Sequence, residues 1–174
     1  MTKNIALERR FRKTYSFLGK HAKITDRILD LGIKNELSDY LINRGFNIQN
    51  TRGEDLDVEN DLESGYGLFD VVTAFEILEH LLSPFELLRK LPSDKLIATI
   101  PLRLWFAEAY RSDTDELDRH YHEFEDWQFE WLLEKAGWKI MSSQKWTSPA
   151  KKMGIRPLLR HLYPRYYAVY AERR

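Results

Sequence analysis

The sequence predicts an α/β fold, a mainly parallel sheet with helices on both faces. Three observations predict it. Short apolar runs rich in β-formers, at 27–32, 69–74 and 95–100, are bounded by turn residues such as Gly32 and Pro101. Segments with apolar residues at helical spacing lie between them. Strand and helix signals alternate along the chain, the order that gives parallel neighbours joined by crossover helices. The 174 residues suit one domain, 1–174.

In chain order, residues 4–23 read as a basic helix, with Ile5, Leu7, Phe11, Tyr15, Phe17 and Leu18 as packing residues. The run 27–32 is a buried strand stopping at Gly32. Asn35 can cap the next helix, because its side-chain oxygen can accept from a free N–H of the first turn. Leu37 and Leu41 form that helix's stripe, and Gly45 suits its end. A second strand covers 46–51, and the acidic stretch 54–63 reads as a loop. Residues 69–74 are a third strand. Ser83-Pro84 opens a helix running to Leu91, since proline is pre-set for the first helical position. Residues 95–100 form the next strand. Phe129, Leu132, Leu133 and Ala136 mark a helix ended by Gly137, with Trp127, Phe129, Trp131 and Trp138 as core aromatics. Late strands are expected at 138–142 and 166–171.

Composition removes several chemistries. Cysteine is absent, which excludes disulfides, thiolate metal sites and cysteine nucleophiles. No apolar run approaches the roughly 18 residues that span a bilayer. The polar, basic start shows no signal-peptide core, and the expected compartment is the cytoplasm. The net charge of zero hides an asymmetry: residues 1–23 carry seven Lys/Arg against one acid, and 145–174 carry eight against one. The acidic middle lies between them. Such ends, with Lys151, Lys152, Arg156, Arg160 and Arg165 among aromatics, can contact nucleic acid. The preferred reading folds them back across the acidic middle.

Four motifs stand in order: Ile28-Leu29-Asp30-Leu31-Gly32; Phe69-Asp70-Val71-Val72; Glu76-Ile77-Leu78-Glu79-His80-Leu81; and Arg119-His120-Tyr121-His122-Glu123-Phe124 before a helix ending Lys135-Ala136-Gly137-Trp138. In this order, over residues 26–142, the chain resembles the class I S-adenosylmethionine-dependent methyltransferases of small-molecule type. The resemblance implies a Rossmann-like sheet, S-adenosylmethionine as cofactor and a small-molecule acceptor. It implies cofactor contacts from Asp30, Gly32, Phe75 and Glu76, and a ribose-binding acid at Asp55 or, next, Asp57. The chain also departs from the family. Lys34 and Glu36 stand where the family's second and third glycines are expected. A lysine there either fills the cofactor's place or swings out to solvent. Only 37 residues separate Gly32 from Asp70, so one helix and one strand are missing or very short.

Chemistry-bearing residues follow. Glu76, Glu79 and His80 at i, i+3 and i+4 would share one helical face. Together they could hold Mg²⁺, Mn²⁺ or Zn²⁺, with His120 or His122 as a later ligand. The same letters also occur in relatives that bind no metal, and that is the preferred reading. His120 or His122 could take a proton from an acceptor, since imidazole titrates near pH 6.5. Trp105, Phe106 and Tyr110 could wall a substrate site. The expected function is methyl transfer to a small acceptor; the alternative is a binding module that kept the fold and lost the cofactor.

Overall fold

A computed structural model describes residues 5–116, 118–148 and 154–174; Lys151 and Lys152 lie outside them. The elements are α1 (Ile5–His21), β1 (Arg27–Asp30), α2 (Glu36–Ile42), β2 (Asn47–Asn50), α3 (Leu62–Tyr66), β3 (Val71–Phe75), a 3₁₀ turn (Leu78–His80), α4 (Pro84–Arg89), β4 (Lys95–Pro101), α5 (Asp126–Lys135), β5 (Trp138–Thr147), α6 (Ile155–Leu162) and β6 (Pro164–Arg173). Six strands form one sheet in the order β2-β1-β3-β4-β6-β5. The first four are parallel, and β6 runs antiparallel between β4 and β5. This is a Rossmann-like, mostly parallel sheet. It ends at β2, and only the short α3 separates β2 from β3, which is the contraction expected between Gly32 and Asp70.

The central strands are buried because their side chains meet helices on both sides. Ile28, Leu29, Val71, Val72, Leu96 and Ile97 are fully inaccessible, the near-continuous apolar pattern of a strand covered on two faces. On one face α1 and α2 bring Phe17, Leu18 and Leu41 onto Ile28, Val71, Ile97 and Trp146. On the other, Leu87, Leu88, Phe129 and Leu133 of α4 and α5 join Leu29, Val72, Leu96, Trp138 and Tyr167. Asn35 caps α2, accepting from the N–H groups of Leu37 and Ser38. At the far end of the chain, the Arg173 guanidinium lies over the Trp138 ring and donates to the carbonyls of Leu88, Arg89, Leu91 and Ser93. It thereby satisfies the open carbonyls where α4 ends.

Two aromatic expectations need correction. Phe129 and Trp138 are core, but Trp127 and Trp131 are 43% and 65% exposed. They sit at i and i+4 on the outer side of α5 and pack on each other. The helix α6 was not expected; its Ile155, Leu158 and Leu162 face solvent. Among the described residues, no helix is long and apolar enough to cross a membrane.

Candidate active site

In open α/β sheets, ligands bind beyond the carboxyl ends of the strands. Here that edge is built by the turns after Asp30, Asn50, Phe75 and Pro101. The turn after β1 is tied down from both neighbouring strands. Leu31 N–H donates to the Thr73 carbonyl, Gly32 N–H donates to Thr51 Oγ1 at 2.7 Å, and Asn50 Nδ2 donates to the Gly32 carbonyl. Gly32 has φ +95°, and a Cβ there would stand 2.9 Å from Ile77 Cδ1. Only glycine fits both the turn and the contact.

Asp30 faces inward. Its carboxylate accepts from Thr73 Oγ1 at 2.7 Å, Asn50 Nδ2 at 2.9 Å and Ser38 Oγ at 3.1 Å, and the residue is 3% exposed. Burial pushes its pKa up to about 6 against the pull of those three hydrogen bonds. Asp30 thus holds β1, β2, β3 and α2 together rather than presenting a charge to a cleft. Asp55 is exposed and closes its own turn by accepting from Asp57 N–H. Asp57 accepts from the N–H groups of Leu82 and Ser83 at 2.8 and 2.7 Å, pinning the segment before α4. The expected common cleft for Asp30 and Asp55 is therefore not formed. The end of β2 is occupied by Asn50 and Thr51, both turned onto β1. Lys34 leaves the turn along the surface and pairs with Asp39 at 2.7 Å.

At the end of β3, Phe75 packs half-buried on the α1 side of the core. Glu76 follows with φ +56°, a strained conformation for a residue with a side chain and one that clusters at functional sites. Glu76 Oε2 meets Arg10 Nη1 of α1 at 2.7 Å. Burial raises the Glu76 pKa, opposed by the charges of Arg10, Arg165 and His80. This backbone twist separates Glu76 from Glu79 and His80, so the three do not share one helical turn. Instead Glu79, His80 and His120 converge, with one ligand atom from each within 4.8 Å of the others.

The Glu79 side chain is 1% exposed, and its Oε2 has no hydrogen-bond partner. Burial holds its pKa well above the usual carboxylate range. His80 Nδ1 lies 3.0 Å from the Arg119 carbonyl and His120 Nδ1 3.5 Å from Glu123 Oε1. The two rings meet edge to face at 4.7 Å. Burial and the His80 charge lower the His120 pKa, opposed by Glu123. The backbone N–H groups of Tyr121 and His122 both donate to the Glu79 carbonyl, which anchors the loop over the cluster. His122 turns elsewhere, stacking on Phe124 with Nε2 3.4 Å from the Leu82 carbonyl. A cavity of ≈ 300 Å³ beside the cluster is lined by Leu102, Tyr110, His120, Glu123 and Arg165, among others. Of the three residues expected to wall a substrate site, Tyr110 reaches this cavity, while Trp105 and Phe106 pack with Tyr163.

Sequence reasoning missed Arg10, Asn50, Thr51, Thr73 and Glu123. Asn50 and Thr51 stand at the end of the second strand, where an acid was sought, and polar neutral residues gave no signal. Arg10 was one of several cations on a basic helix, and nothing in the spacing singled it out.

No family model and no curated protein matches the chain. Its likeness is to solved structures. A 1,6-didemethyltoxoflavin-N1-methyltransferase of Burkholderia thailandensis, with its substrate and S-adenosylhomocysteine bound, is 16% identical, with 99% of this chain and 80% of that one aligned at TM-score 0.61. An S-adenosylmethionine-dependent methyltransferase of Mesorhizobium loti is 15% identical over 97% and 98% of the two chains, TM-score 0.54. The [4+2]-cyclase SpnF is 16% identical over 94% and 81%, TM-score 0.57. At such identities the likeness concerns the fold, and the cyclase shows that the fold also serves other chemistry.

Proposed function

The chain has the fold of the class I S-adenosylmethionine-dependent methyltransferases, and on that footing we propose that it transfers a methyl group from S-adenosylmethionine to a small acceptor at the carboxyl edge of its sheet. The observation that carries this reading is the glycine turn after β1 at the carboxyl edge of the sheet, with Lys34 directed away from it. Gly32, Phe75 and Glu76 would contact the cofactor, and Asp55 is the exposed carboxylate on the ribose side. Asp30 and Asp57 act one step back, by shaping the turns. The cofactor supplies an electrophilic methyl group; the protein's share is to align the acceptor with it. His120 would receive the acceptor's proton. It lines the ≈ 300 Å³ cavity, and its lowered pKa keeps it neutral near pH 7. His122 is held against Leu82 and Phe124 and does not line that cavity.

A second reading, a binding module without the cofactor, is favoured by two contacts. Ile77 packs directly over Gly32, and Thr51 already accepts the Gly32 N–H. Calorimetric titration with S-adenosylhomocysteine separates the readings. The methyltransferase reading expects binding by the wild type and little change in Lys34→Gly, because the lysine points to solvent. Absence of binding at millimolar ligand, recovered in Ile77→Ala, would establish the second.

Glu79, His80 and His120 fit a divalent metal. With each Nδ1 directed to a carbonyl or carboxylate, both histidines have Nε2 available, the usual arrangement of metal-bound imidazole. Glu79 Oε2 supplies an orphaned buried oxygen. Two nitrogens and one oxygen suit Zn²⁺ or Mn²⁺. A metal would occupy the nitrogen that His120 needs as a base, so the two roles exclude each other. If the metal binds, Mn²⁺ or Zn²⁺ raises the melting temperature of the wild type but not of His120→Ala. Equal shifts in both, or none in either, return His120 to proton transfer.

A further inference from the structure

A second cavity, of ≈ 460 Å³, lies between α1 and the ends of β5 and β6, and includes Arg9, Arg10, Arg12, Lys13, Trp146 and Tyr166 in its wall. Its volume is that of a small-molecule site. Four of these residues are cations from consecutive turns of one helix, and among the described residues no carboxylate lines the cavity. Among the described residues, Arg10 is the one of the four with an ion pair, to Glu76. Arg9 and Lys13 stand one helical turn apart, and burial and the Arg9 charge both lower the Lys13 pKa.

The wall also holds two hydrogen-bond donors without acceptors. Trp146 is 3% exposed, and its buried Nε1 has no partner; neither has the buried Nε of Arg10. Buried indole N–H groups ordinarily find an acceptor, and an orphan calls for a reason. The aromatic surfaces are equally one-sided. Lys13 Nζ lies 5.8 Å from the Trp146 ring centroid, and the Arg10 and Arg165 guanidiniums each lie 5.8 Å from that of Tyr166. The lining therefore offers positive charge, N–H donors and aromatic faces, and among the described residues it holds no acceptor carboxylate.

We propose that this cavity binds a small organic anion, a phosphate or carboxylate carried on an aromatic body. The anionic group accepts from Arg9 and Lys13, and the ring lies against Tyr166, with the Trp146 indole in the wall beside them. One sign of charge in a low-dielectric cleft concentrates counter-ions, and arginine supplies the planar fork that matches such oxygens. Fold and folding do not require these charges to gather here. Arg9 and Arg12 are exposed, on the side of α1 away from Phe11, Phe17 and Leu18.

The test uses phenyl phosphate, with benzyl alcohol as its uncharged counterpart, and needs no cofactor, so it stands apart from the catalytic reading. Calorimetry should show binding of phenyl phosphate that weakens as salt is raised. Arg9→Gln and Lys13→Gln should each weaken it about tenfold, the scale of one charge-assisted hydrogen bond, with unchanged melting temperatures. In a ¹⁵N correlation spectrum, the indole resonance missing from Trp146→Phe should shift as phenyl phosphate is added to the wild type. Binding of benzyl alcohol with equal affinity, unchanged affinity in both glutamine variants, a stationary Trp146 resonance, or no binding at millimolar probe would each overturn the proposal.

Discussion

Burial has made Asp30 a structural acid. Its folded pKa of about 6 lies above the 3.8 of the free side chain. Between those values the folded state holds a proton that the unfolded chain has released. Its contribution to stability is therefore fully present below pH 3.8 and is lost as pH rises through 6. The size is about 3 kcal/mol, from roughly 1.4 kcal/mol per pKa unit. Asp30→Asn keeps an acceptor for Thr73 or Asn50 and removes the titration. Glu76 and Glu79 respond to pH alike in both proteins, so the melting temperature of the wild type relative to that of Asp30→Asn should fall between pH 4 and 7; parallel profiles would show that the carboxylate is not the titrating group. The motif containing Asp30 was legible in the sequence, but its direction was not. Whether an acid at a strand end faces a ligand or the sheet depends on what stands opposite. Here Asn50 and Thr73, 20 and 43 residues away, turn it inward. Glu76 shows the same limit. Its spacing to Glu79 and His80 suggested one helical face, but a left-handed backbone at Glu76 breaks the face.

At the scale of elements, β1, β3 and β4 were legible because they are largely buried on both faces and read as mainly apolar runs, whereas the edge strand β2 is half-exposed and polar. Residues 27–32, 69–74 and 95–100 hold β1, β3 and β4, which are neighbours in the sheet. The outer elements were less so. Trp127 and Trp131 follow the same helix as Phe129 but point outward, and aromatic character alone cannot tell the two sides of α5 apart. The helix α6 carries an apolar stripe, with Ile155, Leu158 and Leu162 at helical spacing, but the stripe faces solvent and not the core. The β1–α2 turn carries the sharpest expectation here. Gly32→Ala adds a Cβ to a left-handed backbone and brings it 2.9 Å from Ile77. It should cost about 1–3 kcal/mol of stability, measured by denaturant unfolding. Ile77→Ala in the same chain should return only the steric part. Full recovery would mean that the backbone conformation carries no strain.

Across the whole molecule, the basic ends partly neutralise the acidic middle. Arg10 pairs with Glu76, Lys145 with Asp126, Arg173 with Asp94 and Arg174 with Glu134. Three cations of α1 that have no such partner among the described residues, Arg9, Arg12 and Lys13, gather at the second cavity, which net charge alone could not reveal. The pairing of β6 is the other long-range feature. Its Tyr167, Ala168, Val169 and Ala171 are buried between β4 and β5. Removing residues 164–174 should abolish cooperative thermal unfolding, measured by circular dichroism, because it exposes β4 and releases β5; a retained wild-type transition would show that four parallel strands suffice. The position of β6 also bears on biosynthesis. Ribosomes add about 5–20 residues per second, and strands β1 to β5 emerge before the strand that joins β4 to β5. For that interval the nascent chain presents two unpaired strand edges, the surfaces most prone to pairing with other chains. Closure of the sheet must wait until residues 164–173 have cleared the exit tunnel, so translation leaves an interval between β5 and β6 in which chaperone protection of those edges matters.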